Sequence, residues 1–303
     1  MYFKTIFPEF FSLRPMRCLF AAVGLFFALA PVFAQRPSDN IVKPGMERID
    51  QEEGARRLEA FRQQRLEGDY VFEFQLEHKP RRARTVRYNG IMWGSWNDQG
   101  AVTRFKIFSP DSRESEPAGL VELITQNGPE PKAWIRDHAS KDFKRVEGEA
   151  LFEPILPGLV YSVFDLQMPF VYWDNFVYEG PSLIGASRIA QDFLMLPPAD
   201  SESARQDIKG VRVSLDDTYN ALWRVEVIGG NERMLSEFSV ESLKKVQGQY
   251  IVKRITLVDY PSKDRTTFHV VDASVGLRLE EELFDVPERP IIDPPAPSCC
   301  GAN

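Results

Sequence analysis

The side chains that could do chemistry in this chain are few and scattered. Its three histidines, His78, His138 and His269, stand isolated in sequence. There is no His-Glu-x-x-His zinc helix, no Gly-x-Ser-x-Gly elbow and no phosphate-cradling glycine loop. Cys18 lies in an apolar leader, and Cys299 and Cys300 are neighbours in a proline-rich tail. A bond between adjacent cysteines is strained by disulfide geometry, and neither offers a papain-type nucleophile. The run Glu280-Glu281-Glu282 reads as a solvated strand end. Two carboxylates meeting in space could still support hydrolysis, so a carboxylate hydrolase is one reading. The lack of any site signature favours a protein that binds without catalysis, cofactor or metal. The chemistry with a pattern is apolar: aromatic side chains recur at spacings that collect them on shared faces.

Those aromatics sit on elements with clear periods. Tyr70, Phe72, Phe74 and Leu76 alternate with Val71, Glu73, Gln75 and Glu77, the pattern of a half-buried strand. Further strands follow at Thr85–Trp93, Ala101–Phe108 (carrying Phe105), Leu120–Gln126, Ala133–Arg136 and Phe143–Val146, separated by turn residues. A second set includes Val211–Leu215, Trp223–Val227, Met234–Val240, Tyr250–Tyr260, Thr266–Ala273 and Leu277–Phe284. Ten or eleven strands at this spacing predict an all-β sandwich or barrel. Ahead of them, Asp50 with Glu53 three residues on marks a helix start. Ala55, Leu58 and Phe61 share a face of that helix, which the pattern carries to about Leu66, with Gly68 as its stop.

Between the strand sets, Val160–Pro198 holds eight aromatics in thirty-nine residues. Ser162 caps a short helix with Asp165 in its first turn, and Pro169 limits it. Phe176–Glu179 and Arg188–Leu196 read as strands, with Gly180-Pro181 as a turn. Phe164, Phe170, Tyr172 and Trp173 are candidates for a lid over an apolar cavity; Phe72, Phe74, Tyr88, Trp93 and Phe105 are candidates for its wall. Ordinary core packing accounts for the same residues, so a non-catalytic interaction module with a packed interior is the competing reading.

The ends and the charge set the compartment. Lys4, Arg14 and Arg17 precede the apolar run Cys18–Phe33, and Val32-Phe33-Ala34 suits a cut before Gln35. At sixteen residues the run is short for a spanning helix, which needs about 20. Residues 1–34 are thus expected to be a signal peptide, 35–285 one β domain, and 286–303 a disordered proline-rich tail. Residues 35–303 carry 34 Lys+Arg against 43 Asp+Glu, a net charge of −9. That balance argues against nucleic acid as a partner. The one basic cluster, Arg81, Arg82, Arg84 and Arg87, reads as a split, solvated strand end or a headgroup contact.

The order of elements resembles the LolA-like carriers and, more closely, the outer membrane lipoprotein-sorting protein family. The resemblance rests on Leu58-Glu59-Ala60-Phe61 leading to Gly68-Asp69-Tyr70-Val71-Phe72. It rests also on Ser162-Val163-Phe164-Asp165-Leu166 through Phe176-Val177-Tyr178-Glu179-Gly180, and on the run to Leu196-Pro197 and Leu283-Phe284-Asp285-Val286-Pro287. It implies an incomplete antiparallel β-barrel, a strongly curved sheet covered by the N-terminal helix and the central lid. It implies a periplasmic protein that holds acyl chains or a lipid-modified protein, with inner- and outer-membrane partners. Shuttles of that group close the lid with a strand arginine; Arg84, Arg87 and Arg104 are the possible counterparts here.

Overall fold

A computed structural model describes residues 46–108, 119–137, 142–185, 188–199 and 207–286. The predicted leader, His138, the tail and its two cysteines lie outside the described residues. Helix α1 spans Gln51–Arg62, and the Asp50 carboxylate accepts the Glu53 N–H at 2.7 Å. The helix stops a turn short of the expected Leu66. Leu66 is buried in the core instead, and Gly68 (φ +69°) turns the chain where a Cβ would meet the Gly276 backbone at 2.9 Å.

Six strands follow: β1 Asp69–Lys79, β2 Val86–Asn97, β3 Gly100–Phe108, β4 Gly119–Gln126, β5 Lys132–Asp137 and β6 Lys144–Arg145. Helix α2, Val163–Gln167, lies in the central segment. Seven more strands complete the sheet: β7 Phe176–Ile184, β8 Arg188–Met195, β9 Ile208–Asp216, β10 Leu222–Gly229, β11 Met234–Val246, β12 Gln249–Asp259 and β13 Arg265–Leu277. All thirteen form one antiparallel sheet in the order β6-β5-β4-β3-β2-β1-β13-β12-β11-β10-β9-β8-β7. Two meanders are therefore zipped together where β13 pairs with β1. The sheet is curved and unclosed, with β6 and β7 as its two edges. The 30 residues from Val146 to Asn175 connect those edges, so this segment must cross the mouth of the curve.

Three expectations need correction. The strand expected at Leu277–Phe284 does not form: β1 and β13 already have partners on both sides, so no edge is left for it. Leu277 ends β13, and Glu281–Leu283 is a single 3-10 turn. Gly180-Pro181 is not a turn: both residues stay paired within β7, just past a bulge at Glu179. Proline is tolerated there because β7 is an edge strand whose outer N–H groups have no ladder partner. Arg81, Arg82 and Arg84 are exposed in the turn after β1 rather than on a strand, and Arg81 N–H donates to Asp264.

Strand alternation gives the sheet two unlike faces. Tyr70, Phe72, Phe74, Met92, Phe105, Ile107 and Leu123 point to the concave side, joined there by Val213, Val225, Phe238, Ile255, Phe268 and Val270 in one continuous core. The glycines of β2 make room for this. A Cβ on Gly90 would meet the Phe74 ring at 2.3 Å, and one on Gly94 would meet the Tyr70 ring at 2.0 Å. The two rings of β1 thus lie across β2 at the positions where β2 has no side chain. On the convex side Val71, Trp93 and Leu283 form a separate small cluster.

A lidded apolar cavity

The segment crossing the mouth is built to pack inward. Ser162 caps α2 in a complete capping box: its hydroxyl accepts from Asp165 N–H at 3.3 Å, and the Asp165 carboxylate accepts from Ser162 N–H at 2.9 Å. This is the cap expected from the sequence. Met168 then adopts a left-handed conformation (φ 50°), and Pro169 opens a 3-10 turn through Tyr172. Phe152, Phe164, Phe170 and Trp173 form a chain of ring contacts at 4.8, 5.4 and 6.3 Å between centroids. Such contacts make the lid a small core of its own.

Between lid, α1 and sheet lies a cavity of about 120 Å³. Its wall is almost wholly apolar: Phe72, Met92, Phe105, Phe238 and Ile255 from the sheet, Phe61 from α1, Leu166, Met168 and Val171 from the lid. For scale, a cavity of about 150 Å³ lined by aliphatic side chains admits a benzene ring. The closed form therefore has room for part of an acyl chain and no more. A whole chain needs the lid to move.

Few polar contacts hold the lid. Arg62, in the last turn of α1, donates from Nε to Val171 O at 2.8 Å and from Nη2 to Trp173 O at 3.0 Å. Gln167 Nε2 donates to Gln126 O at 3.1 Å. Val160 N–H donates to Thr266 Oγ1, which also contacts His78 Nδ1 at 2.9 Å. Burial pushes the Tyr70 phenol up to about 12, Asp69 adding in the same direction and Thr103 opposing. Tyr161 and Tyr172 are also raised by burial, with Arg62 pulling Tyr172 the other way.

The predicted wall and lid residues divide as follows. Phe72, Phe105 and Tyr172 line the cavity. Phe74 and Tyr88 share the concave side but pack beside it; the Phe74 ring stacks on Phe268 at 4.8 Å. Phe164, Phe170 and Trp173 form the body of the lid. Trp93 is not a wall residue: it pairs with Val71 across the β1–β2 ladder, one register step from Phe72–Met92, and so faces the convex side. None of the three candidate lid arginines reaches the lid. Arg84 is exposed, Arg87 pairs with Glu77 at the surface, and Arg104 is buried on the convex face against Glu122 at 2.8 Å. Arg62 holds that position instead. Its partners are main-chain carbonyls, which leave no residue-type signature; its only sequence signal is its place beside Phe61. Tyr161, Met92 and Phe238 were also not singled out as wall. Among the described residues the cavity wall carries one carboxylate, Asp165, already committed to Ser162, so a carboxylate pair is not assembled there. No cluster of three or more metal-ligating side chains occurs among the described residues.

A curved, unclosed antiparallel sheet closed over by a helix and a crossing lid defines the LolA-like fold, and this chain has it. Solved structures agree at low identity. A Vibrio parahaemolyticus domain named for outer membrane lipoprotein sorting matches with a TM-score of 0.64 at 14% identity, covering 77% of this chain and 95% of that one. A DUF1329 family protein from Desulfovibrio piger gives 0.63 at 11% identity, over 77% and 95%. A LolA superfamily protein from Nitrosomonas europaea gives 0.56 at 12% identity, over 78% and 98%. No family model matches the chain, and no curated protein does.

Proposed function

We propose that this protein is a periplasmic carrier that shelters acyl chains, free or attached to a lipoprotein, and takes part in lipoprotein sorting to the outer membrane without catalysing a reaction. The observation that carries the reading is the apolar cavity under a lid fastened by only a handful of polar contacts. Each methylene removed from water contributes about 0.8 kcal/mol, so an acyl chain is held by contact area alone. A lid that swings on few bonds permits loading and release. The fold shared with a sorting domain and a LolA superfamily protein supports the same direction, as does the leader expected from the sequence.

Delipidated protein should take up a fluorescent fatty acid or a lipopeptide saturably, near one per chain. Well-folded protein with no saturable uptake would refute the carrier. The smallness of the cavity favours a second reading, an envelope interaction module whose interior stays packed. Under that reading the lid never opens, and amides of residues 160–172 exchange with solvent no faster than those of β1.

A further inference from the structure

One end of the cavity is not apolar. Tyr70, Thr103, Asn127 and Gln167 line it together. The ladder registers place them there: Tyr70 pairs with Gly94, Gly94 with Thr103 and Thr103 with Thr125, so these positions form one row across β1 to β4. Asn127 follows the end of β4, its N–H bonded to Ala101 O at 2.7 Å. Because Gly94 has no side chain, the Tyr70 phenol lies across β2 and carries its hydroxyl over that glycine toward β3. Tyr70 is 2% exposed, and its buried hydroxyl makes no hydrogen bond of good geometry, Thr103 being the polar side chain nearest to it in the row. Asn127 Oδ1 is likewise buried and unpartnered, as is the hydroxyl of Tyr161, which the lid adds to the cavity wall.

A buried donor or acceptor left unmade is costly, and native structures rarely retain one. Here a donor and an acceptor are left open at one end of an apolar cavity. The charged groups on the wall do not supply a site for an ion. Arg62 donates to Val171 O and Trp173 O, and Asp165 accepts from Ser162. Resting on the carrier reading, we infer that the ligand carries an uncharged oxygen function on its aliphatic part, a hydroxyl, seated at the Tyr70–Asn127 end. A hydroxyl accepts from Tyr70 Oη and donates to Asn127 Oδ1 at once. A carboxylate accepts from Tyr70 Oη but cannot donate to Asn127 Oδ1, and it would be buried without a cation. The ligand class is therefore a neutral hydroxylated lipid, such as a monoacylglycerol or a long-chain alcohol, rather than a free fatty-acid anion.

The test is displacement of bound N-phenyl-1-naphthylamine from the delipidated full chain at pH 8. The competitors are dodecanol, 1-monolauroylglycerol, dodecanoate and 1-chlorododecane. The two hydroxylated ligands should displace the probe at concentrations at least ten-fold below dodecanoate. Tyr70→Phe should weaken both hydroxylated ligands about ten-fold and leave 1-chlorododecane unchanged. Unliganded Tyr70→Phe should melt no lower than the parent, because the lost hydroxyl had no partner. A preference for dodecanoate, or an unchanged ranking in Tyr70→Phe, overturns the inference while leaving the carrier reading standing. A parent protein that binds no probe at all overturns both. Monolauroylglycerol displacing far better than dodecanol would assign the glycerol ester as part of the recognised group; equal displacement assigns the hydroxyl alone.

Discussion

The two faces of the sheet solve burial in opposite ways. The concave face is aromatic and aliphatic, and its cover is a segment attached at its two ends and by a few hydrogen bonds. The convex face, crossed by residues 279–284 as a strap, is built on charge. Arg104 is 1% exposed and bonds both Glu122 at 2.8 Å and Leu283 O at 3.1 Å, while Arg136 reaches the same Glu122 oxygen at 2.8 Å. Leu279 N–H is held by Asp69 at 2.6 Å, and Leu283 packs on Val71 and Trp93. Apolar contact is non-directional, so a cover resting on it can lift and be replaced by another apolar surface, a ligand's included. A buried ion network has one satisfied geometry and loses much when opened. The difference assigns motion to one face and permanence to the other.

The largest effect should come from the convex side. Glu122→Ala leaves Arg104 charged and buried, and should cost about 3–5 kcal/mol in urea unfolding. If that variant lost less than about 1 kcal/mol, the strap would not be the fixed side. On the concave side, Arg62→Met removes the two charge-assisted bonds from α1 to the lid. Each hydrogen bond of this kind is worth about 1.5–3 kcal/mol, so the open lid should become at least ten-fold more populated. Stopped-flow uptake of a fluorescent fatty acid should accelerate accordingly, with a lower melting midpoint. Unchanged uptake would move the gate elsewhere. Smaller still is Ile251→Phe, which adds volume at the cavity wall. If the cavity is real space, stability should stay within about 1 kcal/mol while ligand capacity falls; overpacking of a filled core instead costs about 1–3 kcal/mol.

The sequence displayed the concave side well and the convex side poorly, for physical reasons. Period-two alternation of Tyr70, Phe72 and Phe74 marks a buried face directly, and Ser162 with Asp165 marks a helix start by local bonding alone. Both were legible. β3 and β4 were not legible as two-sided: Arg104, offered as a lid arginine, and Lys106 and Glu122 are all buried on the other face. Their burial depends on a strap more than 150 residues later in the chain, which no local pattern reports. Trp93 was misplaced for the same reason, since an aromatic on the wet-looking side of β2 only makes sense once Leu283 covers it. The Arg62 latch was hidden because it binds carbonyl groups, and every residue has one. The curved sheet and lid, by contrast, were accessible from element order.

The smallest effect expected is a pH dependence of the lid. His78 sits on the concave side at the end of β1, 4% exposed, with Nδ1 against Thr266 Oγ1 at 2.9 Å. Thr266 Oγ1 accepts from Val160 N–H at the start of the lid. A hydroxyl oxygen has a second lone pair, so neutral His78 either accepts from the Thr266 hydroxyl at Nδ1 or donates to it, according to its tautomer. Burial holds the His78 pKa below its usual value, with Asp264 pulling the other way. A folded pKa below the unfolded value, about 6.5, means that the unfolded chain binds more protons as pH falls. The contribution of His78 is therefore full above about pH 6.5 and is lost as pH falls through the folded value. Protonation places a charge on a buried ring and makes Nδ1 a donor, so Thr266 Oγ1 must then accept from both His78 and Val160 N–H, which weakens each bond. Amide exchange at Val160 should accelerate between pH 7 and 5, beyond the intrinsic change in exchange chemistry, and the melting midpoint should fall over the same range. His78→Gln, which can accept from Thr266 at any pH, should flatten both profiles. If the parent and His78→Gln profiles coincide, the lid is fastened independently of this histidine, and the asymmetry between the faces rests on Arg62 and Gln167 alone.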